Sequence, residues 1–285
     1  MTRIVDLFGE EPTISFEFFP PKDEESEQRL LDTMDELARL EPTFTSVTYG
    51  ALGSTRDHTR DLVTKFNAEY PFPTMAHLTC IGHKKSEVLD LLDHYAEHGV
   101  ENILALGGDP PEDGSDIGDF EYALELVEFV RDHPADFSVG VAAQPELHPR
   151  SPSVESDRKH LAEKLEVADF GVTQFSWGVE PYTRMVNELA DLDCHKPVIP
   201  GVMLFINIHA MRRMSEMNNT AIPDDLWQRC LEVDGDPKAV RLLGTEVCAD
   251  LSQRLIDAGA PGLHLYTLNR PTATADLVGR LGLRA

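Results

Sequence analysis

The chain has 285 residues, which is long enough for two small domains or for one large α/β domain with a sizeable core. It carries 50 Asp and Glu against 25 Lys and Arg, and the resulting formal net charge of −25 excludes nucleic acid and anionic membranes as expected partners. Four scattered cysteines without a Cys-x-x-Cys pair predict no metal site and no disulfide framework, and the lack of a leader-like or membrane-spanning apolar run predicts a cytoplasmic protein.

The first predicted strand, 14–19, holds a carboxylate within an apolar run and ends at a Pro-Pro pair that cannot continue the ladder. Its apolar residues predict a strand that packs on both faces. Glu17 lies near the carboxyl end of this strand, where aromatic neighbours disfavour an ionised carboxyl, as a general acid requires. The alternative for Glu17 is a structural ion pair with a buried Lys or Arg.

Seven further short β-rich runs follow along the chain, each separated from the next by a longer segment with helical periodicity. The predicted strands are 14–19, 44–49, 74–80, 102–107, 137–143, 170–175, 197–204 and 262–267. The predicted helices are 24–40, 56–69, 85–98, 119–132, 154–167, 180–192, 207–218 with 223–232, 237–258 and 272–282.

Eight strands that alternate with helices predict an α/β protein with a (β/α)₈ TIM barrel, formed by residues 1–285 as a single domain. An open, doubly wound sheet is the alternative. No Gly-x-Gly-x-x-Gly follows the first strand, as a dinucleotide-binding fold of that kind would need.

Polar residues follow almost every predicted strand, at the end where barrels of this kind carry their active sites. They include Glu17, Thr48, Tyr49, His77, Asp109, which follows Gly108, and also His148, Gln174, Tyr266 and Arg270. Each has an ordinary explanation by itself: His77 could be a satisfied core histidine, and Asp109 could belong to a turn. Their joint occurrence predicts one shared site at the barrel mouth.

Several motifs, in this order along the chain, resemble the methylenetetrahydrofolate reductase family. They are Ser15-Phe-Glu-Phe-Phe-Pro-Pro-Lys22, Ser46-Val-Thr-Tyr-Gly-Ala51, His77-Leu-Thr-Cys80, Asn102 to Pro111, Pro145-Glu-Leu-His-Pro149, Thr173-Gln-Phe175, Ile199-Pro-Gly201 and His264-Leu-Tyr-Thr-Leu-Asn-Arg270. The resemblance is to the bacterial catalytic form. It implies a barrel flavoprotein that reduces 5,10-methylenetetrahydrofolate to 5-methyltetrahydrofolate, with FAD as cofactor and NADH or NADPH as co-substrate. It also implies a homo-oligomer and a role in one-carbon metabolism and methionine biosynthesis.

The resemblance assigns roles to individual residues. Glu17 matches the general acid, Asp109 the carboxylate that binds the pterin, and Gln174 and Arg270 further contacts to the folate. The residues that match contacts to the flavin or the nicotinamide are Thr48, Tyr49, His77, Gly108, Asp109, Tyr122, Ala123, His148, Asp157, His160 and Lys164. Among these, Lys164 is the expected partner of an FAD phosphate.

The chain departs from the family pattern on the cofactor side. Gly107 stands where the family has an arginine expected to contact FAD, and Gln144 stands where it has an aromatic residue of the flavin wall. These departures leave direct hydride transfer from NADH without a flavin as an alternative. Two further alternatives are a folate- or flavin-binding barrel without turnover and an unrelated barrel hydrolase that uses Glu17 and Asp109 as paired carboxylates.

Overall fold

A computed structural model describes residues 2–21, 23–49, 54–109 and 116–282. Parts of three sequence motifs, at Lys22, 50–51 and 110–111, lie outside these residues. The strands form one closed barrel in the order β1 to β8, and every neighbouring pair is parallel. The fold is therefore the predicted (β/α)₈ barrel.

All eight predicted strands are present, and their ends lie within two residues of the predicted bounds. They are β1 (Thr13–Phe18), β2 (Phe44–Val47), β3 (Thr74–Thr79), β4 (Asn102–Leu106), β5 (Ser138–Ala143), β6 (Phe170–Phe175), β7 (Val198–Met203) and β8 (Gly262–Tyr266). Every residue of β1 is buried, which confirms that this strand packs on both faces. Phe19, by contrast, follows the strand and is exposed.

The helices also follow the predicted order. They are α1 (Glu24–Ala38), α2 (Ser54–Glu69), α3 (Lys85–Glu97), α4 (Ala123–Arg131), α5 (Val154–Val167), α6 (Val179–Asp191), α7 (Ile208–Met217), α8 (Asp224–Glu232), α9 (Pro237–Asp257) and α10 (Pro271–Leu281). Capping residues mark the first turns of several helices. Asp23 caps α1 by accepting from the Ser26 N–H, and α9 has Asp236 at its N-cap and a proline in its first turn.

The barrel interior is filled from its amino-terminal end by a small apolar cluster. A 3₁₀-helix (Ile4–Leu7) that the sequence did not predict closes this end, and its Ile4 is buried against the cluster. The other buried members are Phe44, Met75, Leu104, Phe170, Val172 and Ile199. A larger apolar layer fills the space between strands and helices, so polar side chains are left for the opposite, carboxyl-terminal mouth.

Alternation along β1 decides which of its residues reach the interior. Phe16 and Phe18 join the layer under the helices, whereas Ser15 and Glu17 alternate with them and lie beside residues of β8. The register pairs Glu17 with Ser46 of β2 and with Tyr266 of β8. One strand therefore supplies both the outer core and the acid of the mouth.

The four cysteines are free, as predicted, and three of them are buried. Among the described residues, none of the helices is both long and apolar enough to cross a membrane.

Candidate active site

Glu17 lies at the carboxyl end of β1 and is only 7% exposed. Its carboxylate oxygen is 3.6 Å from Nε2 of His77 and 3.4 Å from Nε2 of His264. Its backbone carbonyl accepts a hydrogen bond of 2.6 Å from the Thr267 hydroxyl, which ties β1 to the end of β8. No Lys or Arg pairs with Glu17 among the described residues, so the structural ion pair considered from the sequence is absent there.

His77 is not a satisfied core histidine. It is 5% exposed, and its Nε2 atom has no hydrogen-bond partner. Burial lowers the pKa of His77 to about 4, the charge of Glu17 opposes this shift, and His264 adds slightly to it. His77 is therefore neutral at pH 7, and its imidazole is available to a ligand or to Glu17.

His264 is the third member of this group, and the sequence reasoning did not assign it a role. It is fully buried, its ring stacks on Phe44, and its Nδ1 lies 2.7 Å from the Ser15 hydroxyl. The Ser46 hydroxyl lies 3.3 Å from its Nε2. A polar residue on the interior face of β8, in register with Ser15, was the signal that could have identified it.

We call Glu17, His77 and His264 the acid–histidine cluster. One ligand atom of each lies within 4.8 Å of the others, so the three groups are close enough to hold a cation between them. The sequence predicted no metal, and this remains a prediction.

The end of β8 is held to its neighbours by side-chain contacts. The Tyr266 hydroxyl donates to the Thr173 carbonyl at 2.6 Å, and burial, with Glu17 nearby, raises its pKa well above the usual value. Gly201 permits this packing, because a Cβ there would lie 2.7 Å from the Tyr266 hydroxyl. Arg270 follows at the start of α10 and is exposed toward solvent.

Gln174 lies near the end of β6, and both ends of its amide have internal partners. Its Nε2 donates to Oδ1 of Asn218 at 3.0 Å, and its Oε1 accepts from the Phe175 N–H. Gln144 donates to the carbonyl of the same Asn218 at 3.1 Å. The segment after α7 therefore crosses to β5 and β6 and holds the residue predicted to contact folate.

The loop after β4 places Gly108 and Asp109 at the mouth. Gly108 has φ of +75°, and a Cβ there would lie 3.2 Å from the Thr79 side chain, so this position favours glycine. Asp109 is exposed. Nη2 of Arg150, from the loop after β5, donates to the Gly108 carbonyl at 3.1 Å and lies 3.3 Å from the place of a Cβ on Gly107.

His148 and Lys164 lie on the same side of the mouth. Burial and then the charge of Arg150 lower the pKa of His148, whose Nδ1 accepts from the Arg150 N–H at 3.1 Å. The Lys164 amine donates to the Ala142 carbonyl at 2.9 Å, and burial lowers its pKa to about 8. Both cations act on His148, so Arg150, His148 and Lys164 form a second group, which we call the cation rim.

Arg158 holds the loop after β5 in place and was also missed from the sequence. It is 2% exposed and donates to the carbonyls of Gln144, Pro145 and Glu146. It also pairs with Asp157 at 2.6 Å and with Glu188 at 2.8 Å. The second oxygen of Asp157 accepts from Ser151, so this predicted cofactor residue is engaged inside the loop.

Thr48 and Tyr49 lie just after β2. The Thr48 N–H donates to the Phe18 carbonyl, and the Tyr49 hydroxyl lies 2.8 Å from Nε2 of His83. Burial is the main cause that raises the pKa of Tyr49 to about 12 and lowers that of His83 to about 4. The pair is therefore neutral at pH 7 and forms a partly buried wall on this side of the mouth.

The remaining predicted cofactor residues lie further out. Tyr122 is 63% exposed at the N-cap of α4, and Ala123 begins that helix. The pKa of Tyr122 is raised, chiefly by a hydrogen bond with Glu121, and the charge of Arg150 opposes this shift. His160 is exposed on α5 and pairs with Glu163, and no contact joins it to the other predicted residues in the described part of the chain.

The structure thus joins Glu17 with His77, and His148 with Lys164, from distant parts of the sequence. It leaves His160 on an outer helix surface and Asp157 in an internal ion pair. His264, Asn218, Arg150 and Arg158 are additional residues of the site region. Their signal in the sequence was weak, because single polar residues in loops and helices are most often solvated.

Known proteins similar to this chain point to one family. A family profile described as methylenetetrahydrofolate reductase matches residues 1–282. The 5,10-methylenetetrahydrofolate reductase of Escherichia coli (strain K12) is 34% identical over 273 residues, covering 95% of this chain and 91% of that protein. The enzyme of the same name from Buchnera aphidicola subsp. Acyrthosiphon pisum is 35% identical over 270 residues, with 94% and 91% covered.

A solved structure supports the fold independently. It is described as an uncharacterized protein from Clostridium thermocellum that binds two copies of 5-methyl-5,6,7,8-tetrahydrofolic acid. It superposes with a TM-score of 0.68 over 98% of this chain and 97% of that chain. At 12% sequence identity, this similarity concerns the barrel fold alone.

Proposed function

The chain belongs to the methylenetetrahydrofolate reductase family and is an oxidoreductase, and from this premise we propose its substrates, cofactor and kinetic order. It reduces 5,10-methylenetetrahydrofolate to 5-methyltetrahydrofolate with NAD(P)H, through bound FAD and in a ping-pong order. The observation that carries the proposal is the buried acid Glu17 between two histidines at the barrel mouth. A barrel that only binds folate has no need of such an acid.

Glu17 acts as the general acid. The methylene bridge of the substrate must open to an iminium before it accepts hydride, and protonation of the departing folate amine eases this opening. The 7% exposure of Glu17 keeps bulk water from competing for its proton. The Thr267 hydrogen bond to its backbone and the parallel pairing of β1 hold the carboxyl in one position.

The two histidines flank this acid and do not take over its role. His77, with a pKa lowered to about 4, carries no charge at neutral pH and so does not draw the proton from Glu17. His264 is fixed from behind by the Ser15 hydroxyl and the Phe44 ring. Both rings therefore confine the Glu17 carboxyl by packing beside it, and Nε2 of His77 stays free for a ligand.

Asp109, Gln174 and Arg270 bind the folate. The pterin offers adjacent N–H donors, and the exposed carboxylate of Asp109 at the end of β4 is a suitable pair of acceptors. Arg270 is exposed at the end of β8, near the acid, and suits the anionic part of the folate. Gln174 reaches the substrate when its bond to Asn218 is exchanged for one to the ring system.

The residues on the cofactor side fit FAD. Lys164 has a backbone carbonyl as its hydrogen-bond acceptor and so keeps its charge for a phosphate, and Nε2 of His77 is a buried nitrogen without a partner. Tyr122, Ala123, Thr48, Tyr49 and His148 are further residues that would hold it. When bound, FAD supplies the hydride carrier between the nicotinamide and the folate.

In the ping-pong order, NAD(P)H binds first and leaves as NAD(P)⁺ before the folate enters the same face of the mouth. We further propose that residues 1–285 form one catalytic domain that works in the cytoplasm and assembles as a homo-oligomer. NADH and NADPH are both retained as donors, because no fingerprint that reads the ribose phosphate is found in the sequence.

The test is an anaerobic absorbance experiment on the native protein and on the variants Glu17→Gln and Glu163→Gln. Flavin bands that bleach with NADH and return with methylenetetrahydrofolate are expected in the native protein. Glu17→Gln should keep the first step and slow the second by about 10²- to 10⁴-fold, the usual contribution of a general acid. Glu163→Gln, on the outer surface of α5, should behave as the native protein does.

Equal loss of both steps in Glu17→Gln would contradict the assigned role. A colourless protein that oxidises NADH only when the folate is present would favour direct hydride transfer, which Gly107 and Gln144 keep as the second candidate. NADH oxidation that continues beyond one equivalent per flavin without the folate, or no oxidation at all, would reject the reductase proposal.

A further inference from the structure

Arg150 has no role in the mechanism above, yet it lies at the centre of the cofactor side. Nη2 of its side chain donates to the Gly108 carbonyl at 3.1 Å, and its N–H donates to Nδ1 of His148. Its charge acts on both Tyr122 and His148. The loop after β5 thus places one guanidinium among three residues that the sequence predicted to contact the cofactor.

This guanidinium has no carboxylate partner among the described residues. Within the described residues, no carboxylate oxygen lies within 4.0 Å of Arg150 or Lys164. Both side chains are instead anchored on backbone carbonyls, at Gly108 and Ala142. A cation positioned by a neutral carbonyl is not neutralised, so it remains available to an anionic ligand.

The position of Arg150 also relates to a departure in the sequence. A Cβ on Gly107 would lie 3.3 Å from Nη2 of Arg150, so the guanidinium stands beside the place where a side chain at 107 would begin. Gly107 is not among the residues with positive φ, so its backbone does not require glycine. The absence of a side chain at 107 leaves room for Arg150 to reach the loop after β4.

Carboxylates also lie near Arg150 and Lys164. Asp157 is paired with Arg158 and Ser151, so its charge is already compensated. Asp109 is exposed on the same rim and acts electrostatically on His148. Glu121 and Glu125 act on Tyr122 together with Arg150, and Asp157 acts on Lys164, but no carboxylate of the described residues forms an ion pair with either cation.

We infer that Arg150 and Lys164 together form a binding site for the diphosphate of a dinucleotide. Gly107 supplies no cation to this site, and Arg150, from the loop after β5, supplies one in its place. A planar guanidinium suits two phosphate oxygens at once, and the lysine amine adds a point charge. The inference rests on the proposed function for the identity of the dinucleotide as FAD. The diphosphate of NAD(P)H is the other source of the same chemistry.

The experiment is a calorimetric titration of the protein, stripped of any bound nucleotide, with ADP and separately with FAD. ADP carries the diphosphate without a redox ring. The variants are Arg150→Gln and a matched control, Arg280→Gln, which removes the same charge from the last turn of α10. Arg150→Gln should weaken both ligands by about 10- to 100-fold, as expected for a lost charge-assisted contact, and Arg280→Gln should change neither.

A second variant tests the position itself. Gly107→Arg combined with Arg150→Gln returns a guanidinium to the same place from the other loop, so it should recover part of the lost affinity for ADP. A double variant that binds no more tightly than Arg150→Gln alone would overturn the assignment. Equal affinities of the native protein and Arg150→Gln would overturn it as well.

The two ligands separate this inference from the proposed function. Binding of ADP that depends on Arg150, without binding of FAD, would support the diphosphate site, assign it to NAD(P)H, and reject the flavin mechanism. Binding of neither ligand by the native protein would overturn the site. If the native protein and Arg150→Gln bound FAD with the same affinity, the flavin mechanism would stand and the role of Arg150 would be rejected.

Discussion

The acid–histidine cluster and the cation rim lie at the same mouth but are built differently. Glu17, His77 and His264 lie on strands and are all less than 10% exposed. Arg150 and Lys164 come from a loop and a helix, are more exposed, and are each anchored by a bond to one backbone carbonyl. Strand register therefore positions the acid, whereas hydrogen bonds from loop and helix side chains to backbone carbonyls position the cations.

This difference between strand and loop residues explains how the chain can depart from its family's pattern at Gly107. A strand residue cannot move without shifting the register of the whole barrel, so the acid side has few ways to change. A loop can bring a guanidinium to the same place from a different position, as Arg150 does beside Gly107. Of the two departures noted in the sequence, Gly107 lies beside Arg150, whereas the Gln144 side chain donates to Asn218.

The largest expected effect is on protein stability, when Arg158 no longer holds the loop after β5. Arg158→Met removes one partner of a buried ion pair and leaves three carbonyls and one oxygen of the Asp157 carboxylate without their donor. We expect the free energy of unfolding to fall by about 3–5 kcal/mol, as for other broken buried pairs. Chemical denaturation measures this value, and ADP affinity should fall with it because the loop is released.

The control for this prediction is Arg184→Met. Arg184 lies on α6, is 57% exposed, and contacts the same Glu188 at 4.0 Å. Exposed pairs contribute about 0–1 kcal/mol, so this variant should be close to the native protein. If the free energy of unfolding of Arg158→Met fell by less than about 1 kcal/mol, the loop after β5 would not depend on Arg158. The contrast between the acid–histidine cluster and the cation rim would then be wrong.

The acid–histidine cluster should make the free energy of unfolding depend on pH. The pKa of His77 is about 4 in the folded protein, below the usual 6.5, so the unfolded chain binds this proton more readily. Stability is therefore lost as the pH falls from about 6.5 to about 4. The full contribution is about 3 kcal/mol, at about 1.4 kcal/mol for each unit of pKa difference.

Unfolding free energies between pH 7 and 4 test this expectation on the native protein, His77→Gln and His195→Gln. His77→Gln should lose about 3 kcal/mol less over this range than the native protein does. His195 is 71% exposed, so its variant should follow the native curve. Parallel curves for all three proteins would show that His77 is not held neutral by burial.

The smallest expected effect concerns the contact that bridges β6 and the segment after α7. Asn218→Ala removes the internal acceptor of Gln174, so this amide no longer gives up a hydrogen bond to contact the folate. We expect the folate KM to fall by about fivefold, equivalent to about 1 kcal/mol, with kcat little changed. Steady-state kinetics with Asn187→Ala, an exposed change on α6, as the control would test this. A higher KM would show that Asn218 positions Gln174 for the substrate.

Much of the fold could be predicted from the sequence, because local patterns specify it. Runs such as 170–175 have the length and composition of buried strands, and the helices between them carry their own start signals, such as Asp23 and Asp236. The 3₁₀-helix at Ile4–Leu7 could not be predicted in this way. It forms because the open end of the barrel must be covered by apolar side chains such as Ile4.

The candidate site could be predicted in part. Glu17 and His77 stand at strand ends, and the barrel hypothesis places them together, as the structure does at 3.6 Å. His160 matched a family position but lies on an outer surface. Arg158 gave no signal, because a buried arginine and a solvated one look alike within a helical pattern.

The sequence by itself determined the barrel, the buried acid on its first strand and the acidic surface, since each follows from composition and from short-range periodicity. Only the tertiary structure decided which groups meet. Closure of the barrel brings His264 to within 3.4 Å of Glu17, although the two are 247 positions apart in the sequence, and the fold of one loop brings Arg150 to Gly108. Such contacts depend on register and loop path, which no local pattern encodes, because their energy comes from residues that are distant in sequence.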